Sequence, residues 1–247
     1  MKKTLLTTTT LVALSFSSSA SASVSSVSGA DVKKGKGKII LRSAFAEDET
    51  KSGDNRFYSK YGVSYGLSES FGIELVTEQL NKPDDSYEHE KASFKLTYQF
   101  LEDEDAGFDS AVRLTYDLDD NDKGADEVEV RFMNSYKTDG GYKLTNNIIL
   151  ENEVGPDATS GLQLETRWQI TKKFDIGLET PIQAGFEMFN DFKNLRFIDD
   201  QWNQDHEIGP VVKGVFSDTI TYQTGILLGM GDDSPRASYR FFLYKSF

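Results

Sequence analysis

The sequence contains no cysteine, two histidines and five prolines among its 247 residues. Without cysteine, the chain can form neither disulfides nor thiolate metal sites, and thiol catalysis is excluded. The two histidines, His89 and His206, are too few for a metal site built from three imidazoles. The G-x-S-x-G, P-loop and G-x-G-x-x-G motifs are also missing. We therefore expect no cofactor, no metal site and no catalytic residue.

Long apolar runs and positive charge are scarce as well. Mean hydropathy is -0.47, and after residue 22 no apolar run approaches the ~20 residues that a membrane-spanning helix needs. This excludes a helical inner-membrane protein but not a β-barrel, whose alternating strands are polar on average. The net charge is -13, from 27 Lys and Arg against 40 Asp and Glu. Such an acidic chain is not expected to bind nucleic acid, which requires clustered basic residues.

The first 22 residues have the three parts of a secretory signal peptide. Lys2 and Lys3 form a basic start, Leu5 to Phe16 form an apolar stretch, and Ala20-Ser-Ala22 offers an A-x-A cleavage site. Residues 23–37 are small and polar and then basic, which predicts a flexible periplasmic lead-in. The remaining domain covers residues 38–247. An exported chain without disulfides is typical of a bacterial envelope protein.

From Gly37 onward, runs of roughly ten residues alternate apolar and polar side chains between turn-rich segments. We predict strands at 38–46, 55–67, 71–80, 89–101, 108–117, 126–137, 142–152, 160–170, 174–188, 204–216, 219–229 and 236–247. Most links alternate between short turns and longer acidic loops. Transmembrane barrels have this plan, with the short turns in the periplasm. The predicted fold class is all-β: a single-domain transmembrane antiparallel β-barrel of about 12 strands.

Strand alternation places apolar side chains on one face and charged side chains on the other. In a closed barrel the charged face lines the lumen, where opposite charges on neighbouring strands can pair. The predicted pore-lining side chains are Arg42, Lys60, Glu74, Glu78, Lys91, Lys95, Asp109, Arg113, Glu129, Arg131, Lys143, Glu165, Arg167, Glu179, Lys213 and Arg240.

The last strand alternates in the same way and ends on a phenylalanine carboxylate. Its apolar face carries Tyr239, Phe241, Leu243 and Phe247. This pattern resembles the C-terminal signature of Gram-negative outer-membrane barrels, although Lys245 stands where that family usually has an aromatic or aliphatic residue. The resemblance implies that these four residues form the signal read by the barrel-assembly machinery, and that the chain lies in the outer membrane among phospholipid and lipopolysaccharide.

Two further resemblances concern the whole barrel. The segments His206–Lys213 and Gly225–Arg236 resemble a group of small Gram-negative outer-membrane barrels, which implies architecture and not substrate. The size of the barrel is similar to that of the oligogalacturonate-specific porins. Their lumen is strongly basic, whereas the predicted lumen here has mixed charge, so their substrate class does not transfer.

We expect a monomeric, porin-like channel for passive diffusion of small solutes, with weak cation selectivity. The selectivity would come from acidic loop residues around one mouth: Asp48, Asp84, Asp85, Asp119, Asp120, Asp122, Asp199, Asp200, Asp232 and Asp233. One alternative is a structural or adhesive surface barrel whose lumen is closed by ion pairs.

A second alternative is a surface protease. Omptin-type proteases pair two aspartates with an Asp–His couple, and Asp84, Asp85, Asp205 and His206 resemble that set. Asp205 and His206 are adjacent, so on a strand they point to opposite faces. The loop 117–124 is rich in aspartate but does not match the spacing of an EF-hand calcium loop, which leaves a weak divalent-cation site as an alternative to a plain acidic loop.

Overall fold

The structure is a computed structural model that describes residues 24–47, 55–81, 87–120, 124–177, 180–196, 204–231 and 234–247. The predicted signal peptide lies outside these ranges. In the part of the chain described, no helix has the length and apolarity to cross a membrane. The regular structure is twelve strands: β1 Gly37–Glu47, β2 Arg56–Gly66, β3 Phe71–Asn81, β4 Glu88–Asp103, β5 Phe108–Asp119, β6 Asp126–Lys137, β7 Tyr142–Val154, β8 Gln163–Phe174, β9 Ile182–Asn194, β10 Asp205–Ser217, β11 Ile220–Gly229 and β12 Ala237–Ser246.

Each strand pairs antiparallel with its sequence neighbours, and β1 also pairs with β12. This seam runs from Lys38↔Ser246 to Glu47↔Ala237. At the end of the seam the backbones of Gly37 and Phe247 exchange two hydrogen bonds of 3.0 Å. The sheet therefore closes on itself and has no edge strand with unpaired backbone groups. The predicted twelve-stranded all-β barrel is confirmed.

The links divide the barrel into two ends. The turn end carries residues 67–70, 104–107, 138–141, 175–181 and 218–219, together with the start of β1 and the end of β12. Gly107 and Gly141 close two of these turns at φ 66° and 78°, a conformation that glycine adopts without strain. The loop end carries the ends of β1, β3, β5, β7, β9 and β11 and the starts of β2, β4, β6, β8, β10 and β12.

The bounds of β8 and β9 differ from the prediction, which placed a turn at 170–174 and a strand at 174–188. In the structure, β8 continues to Phe174 and β9 begins at Ile182. The apolar alternation from Phe174 onward imitates the start of a strand. Gly177, at φ 78°, and Pro181, which has no N–H, interrupt the ladder there. The link between β8 and β9 is therefore residues 175–181.

The two faces of the wall differ sharply. The outer face carries exposed apolar side chains on every strand, including Leu41, Tyr61, Leu75, Phe94, Leu114, Phe132, Ile148, Trp168, Phe186, Ile208, Ile226 and Phe241. The inner face carries charged and polar side chains, but apolar ones are buried there too: Ile40, Val76, Met133, Ile149, Phe189, Val211, Leu227 and Phe242. The sequence pattern predicted the charged part of this inner face and overlooked the apolar part.

Residues 24–36, called the lumen segment below, lie inside the barrel. The sequence predicted a flexible periplasmic lead-in over residues 23–37, whereas the structure buries Val24, Val27 and Ala30, which are 0%, 7% and 0% exposed. These small side chains pack against apolar residues of the inner face. Apolar contacts inside the barrel, absent from the sequence pattern, explain the difference.

Candidate functional site: the barrel lumen

Ion pairs join side chains of the inner face, most of them within one strand or between adjacent strands of the wall. They join Lys60 to Glu78 (2.7 Å), Lys95 to Glu74 (3.5 Å), Lys91 to Asp117 (3.5 Å) and Glu127 (2.9 Å), Arg131 to Glu129 (2.7 Å), Arg167 to Glu165 (2.6 Å) and Arg240 to Glu187 (2.8 Å). All of these side chains are at most 16% exposed. Charges removed from water in this way need such partners. The lumen wall is therefore mixed in charge at most depths.

The structure brings together most of the side chains that were predicted to line the pore. Except for Glu179, which lies outside the described residues, all of them are on strands of the wall. Lys213 donates to Gln169 at 2.5 Å near the turn end. Asp109 is 8% exposed. Arg42 and Arg113, like Arg131 and Arg240, donate hydrogen bonds to the lumen segment.

The lumen segment runs the length of the barrel from the turn end to the loop end. At the turn end, the Gly35 N–H donates to the Gly66 carbonyl at 2.9 Å. At the loop end, Val24 packs with Ala44, Ala46, Tyr58 and Leu80. An extended chain without ladder partners rises about 3.1 Å per residue, so the eleven steps between Val24 and Gly35 cover roughly 34 Å. This length is comparable to that of β1, an 11-residue strand.

Asn147 holds the middle of the segment at two points. Its Oδ1 accepts the Ser28 N–H at 2.8 Å, and its Nδ2 donates to the Ser28 carbonyl at 2.9 Å. Both groups belong to one residue, so the amide side chain copies the double hydrogen bond of an antiparallel ladder. Asn147 is 0% exposed and reaches the segment from β7.

Arginine side chains hold the segment at other depths. The Ser28 hydroxyl oxygen accepts from Arg113 at 3.3 Å and from Arg131 at 3.4 Å. The Ser25 carbonyl accepts from Arg240 Nη2. Arg42 donates to the Val24 carbonyl at 3.5 Å. These arginines therefore direct donors at oxygen atoms of the segment.

A small cavity remains beside the segment in the charged part of the lumen. Its volume is about 40 Å³, and its lining includes Ser25, Ser26, Ser28 and several of the paired charges. On this measure, a cavity holds one water for about each 10–15 Å³. With the lumen segment in place, this cavity has room for water and not for a larger solute.

The loop end of the lumen is acidic. Acidic side chains there lie on the ends of β5 to β7 and of β9 and β10: Asp117, Glu127, Glu151, Glu153, Asp191, Asp205 and Glu207. Lys91 pairs with two of them. Of the loop aspartates predicted to surround this mouth, Asp119 and Asp120 are described; Asp48, Asp84, Asp85, Asp122, Asp199, Asp200, Asp232 and Asp233 lie outside the described residues.

The side chains of the predicted assembly signal share one face of β12 and its end. Tyr239, Phe241 and Phe247 are 44%, 45% and 60% exposed on the outer face, and Leu243 is half-buried between β1 and β11. The protease alternative concerns His206, whose Nε2–H donates to Gln204 Oε1 at 3.0 Å and whose ring meets Phe192 edge-on. Among the residues described, no group of three or more acidic or histidine side chains is arranged for a metal ion.

The sequence pattern missed several residues that build the lumen. Glu187 accepts hydrogen bonds from Gln223 at 3.0 Å and from Gln169, besides pairing with Arg240. It lies inside the predicted strand 174–188 with the parity of Glu179, so strand parity could have identified it. Asn147 was missed because uncharged amides carried no weight in a pattern of charges. Its inward parity, shared with Lys143 and Glu151, could have identified it.

No protein-family model matches the sequence, and no curated protein matches it. Solved structures do share its architecture. The KdgM porin matches with a TM-score of 0.55 and 10% identity, over 85% of this chain and 99% of that one. The NanC porin matches with 0.55 and 9%, over 84% and 98%. An outer-membrane channel from Pseudomonas putida F1 matches with 0.59 and 8%, over 88% and 98%. At these identities the likeness establishes the fold, that of small outer-membrane porin-like barrels.

Proposed function

We propose that the chain is a bacterial outer-membrane channel for passive diffusion of small solutes. One observation carries this proposal: the wall encloses an extended polypeptide from the turn end to the loop end. A wall that holds such a chain leaves, when the chain moves aside, a continuous passage of about its width. Twelve strands exceed the eight whose side chains fill a barrel interior. The porin-like fold supports the same proposal.

Charged side chains of the lumen would set the selectivity of this channel. Most basic residues of the wall are paired with carboxylates. An ion that enters from the loop end therefore meets the acidic side chains of that end first. Acidic groups at a mouth raise the local cation concentration, and salt screens the effect beyond about 10 Å at 0.1 M. We propose weak cation selectivity that decreases as salt rises.

The proposed setting is the outer membrane of a Gram-negative bacterium. The exposed apolar outer face would contact phospholipid and lipopolysaccharide, and the Tyr239–Phe247 face would be read by the barrel-assembly machinery. We propose a monomer, because a closed sheet needs no second copy to complete its backbone pairing. We also propose that the chain has no enzyme activity, because the KdgM and NanC structures that share its fold are porins.

The test is conductance in planar bilayers. We expect the wild-type protein to open rarely and the Ala30→Trp protein to conduct for most of the recording. Ala30 is 0% exposed against Ala111 and Met133, so an indole cannot fit there and the segment must move. Reversal potentials across a salt gradient should show weak cation preference in the open state. Clear anion preference would contradict the selectivity part.

Lys34→Trp is the matched control, because the Lys34 side chain is 62% exposed at the turn end and accommodates an indole. It should conduct like the wild type. A second candidate function, a structural or adhesive barrel with a closed lumen, is favoured by the ion pairs and the 40 Å³ cavity. If assembled Ala30→Trp protein never conducts, this second function replaces the channel.

A further inference from the structure

We infer that the inner wall of this barrel is a binding site for an extended peptide of small residues, with the lumen segment as its resident and exchangeable ligand. The inference concerns binding and holds whether or not the vacated lumen conducts. Its evidence is the way in which the wall contacts the segment, which differs from the way in which a barrel fills its interior with its own strand side chains.

The first observation is that the wall recognises main-chain atoms. Asn147 pairs with both backbone groups of Ser28, and Gln99 Oε1 accepts the Val32 N–H at 2.7 Å. Nearer the loop end, Arg240 donates to the Ser25 carbonyl and Arg42 donates to the Val24 carbonyl. Domains that bind extended peptides obtain affinity from main-chain hydrogen bonds of this kind.

The second observation is a series of apolar pockets at a regular spacing. Val24, Val27 and Ala30 are three residues apart and enter three separate clusters of the wall. Val27 packs with Phe189 and Leu227, and Ala30 packs with Ala111 and Met133. The three clusters lie on different parts of the wall, on β1 to β3, on β9 and β11, and on β5 and β6, so Val24, Val27 and Ala30 point to different sides of the barrel. The pockets therefore specify small apolar residues at every third position.

The third observation is that the barrel is complete without the segment. All twelve strands pair with two neighbours, and residues 25–33 belong to no strand or helix. The segment can therefore leave without breaking the ladder of the wall. Its exit is the turn end, where Lys33, Lys34 and Lys36 follow the buried part and are exposed.

Hydrogen exchange on the full-length assembled protein tests the resident state. Asn147→Ala removes two hydrogen bonds to the segment and should increase exchange of peptides covering residues 24–32 by about tenfold or more. Asn190→Ala is the matched control, because the buried Asn190 amide donates to Thr166 at 3.1 Å. Equal exchange of residues 24–32 in both variants would overturn the proposed clamp.

Replacement of the lumen segment by a free peptide is tested by adding that peptide as a separate molecule. A fluorescent synthetic peptide with the sequence of residues 24–36 should bind assembled Ala30→Trp protein, whose own segment is displaced, at least about tenfold more tightly than the wild type. The same peptide with Ser28→Pro lacks the N–H that Asn147 accepts and should bind about tenfold more weakly. If Ala30→Trp does not assemble, Val27→Trp replaces it. Equal binding to wild type and variant, or equal binding of the two peptides, would overturn the inference. A lack of conductance would not.

Discussion

Replacing Gly209 by alanine is expected to prevent the barrel from assembling. A Cβ at this position would lie 1.7 Å from the Ile226 carbonyl oxygen and 2.8 Å from its carbon. Both atoms are backbone of the adjacent strand β11, so no side-chain rotation relieves the contact. Separating β10 from β11 breaks ladder hydrogen bonds inside the wall, and we expect a cost above about 4 kcal/mol. The measurement is the fraction of refolded protein that migrates as a compact band without boiling.

Gly140→Ala is the matched control. Gly140 lies in a turn at the turn end, where an added Cβ would meet its nearest neighbour at 3.6 Å, an ordinary contact. This variant should assemble like the wild type. If Gly209→Ala assembles equally well, β10 and β11 do not approach as closely as the structure shows.

Replacing Leu96 by arginine is expected to destabilise the assembled barrel by about 2–4 kcal/mol, the cost of a charge at the bilayer midplane. Leu96 lies on the outer face in the middle of β4 and pairs with Ile73 of β3 and Leu114 of β5. Its neighbours on that face are apolar, so the guanidinium finds no acidic partner there. Urea unfolding of the protein refolded into lipid vesicles measures the change.

Tyr65→Arg supplies the comparison for depth. Tyr65 is also on the outer face, but it is the partner of Gly37 at the turn end of the seam. An arginine near the membrane surface costs about 0–1 kcal/mol because its long side chain reaches water. Equal losses at the two positions would mean that the outer face is not embedded in hydrocarbon.

The sequence was sufficient to predict the strands because their two-residue period continues over nearly the whole chain. Ten of the predicted strands match the structure within two residues at each end. The error at β8 and β9 has a local cause, since apolar alternation continues from β8 into a link that contains Gly177 and Pro181. Weighting these two residues above the alternation would have placed the link correctly.

The lumen segment could not be predicted in the same way. Its valines and alanine repeat every three residues, a period of neither a strand nor an amphipathic helix, and their partners lie far away in sequence. Ser28 and Asn147 are 119 residues apart. Charge pairing between adjacent strands of the inner face, in contrast, followed from strand parity, and Lys60 pairs with Glu78, its ladder partner on the next strand.

Thiol labelling tests the central claim, that the chain carries its own segment inside the barrel, most directly. The natural sequence has no cysteine, so Ala30→Cys and Lys34→Cys each introduce a single thiol. The reagent is a polyethylene-glycol maleimide too bulky to enter the lumen, applied to the assembled full-length protein. Burial predicts rapid labelling at position 34 and protection at position 30 until the barrel is unfolded. Equally rapid labelling at both positions before unfolding would show that the segment lies outside the barrel and would contradict the account.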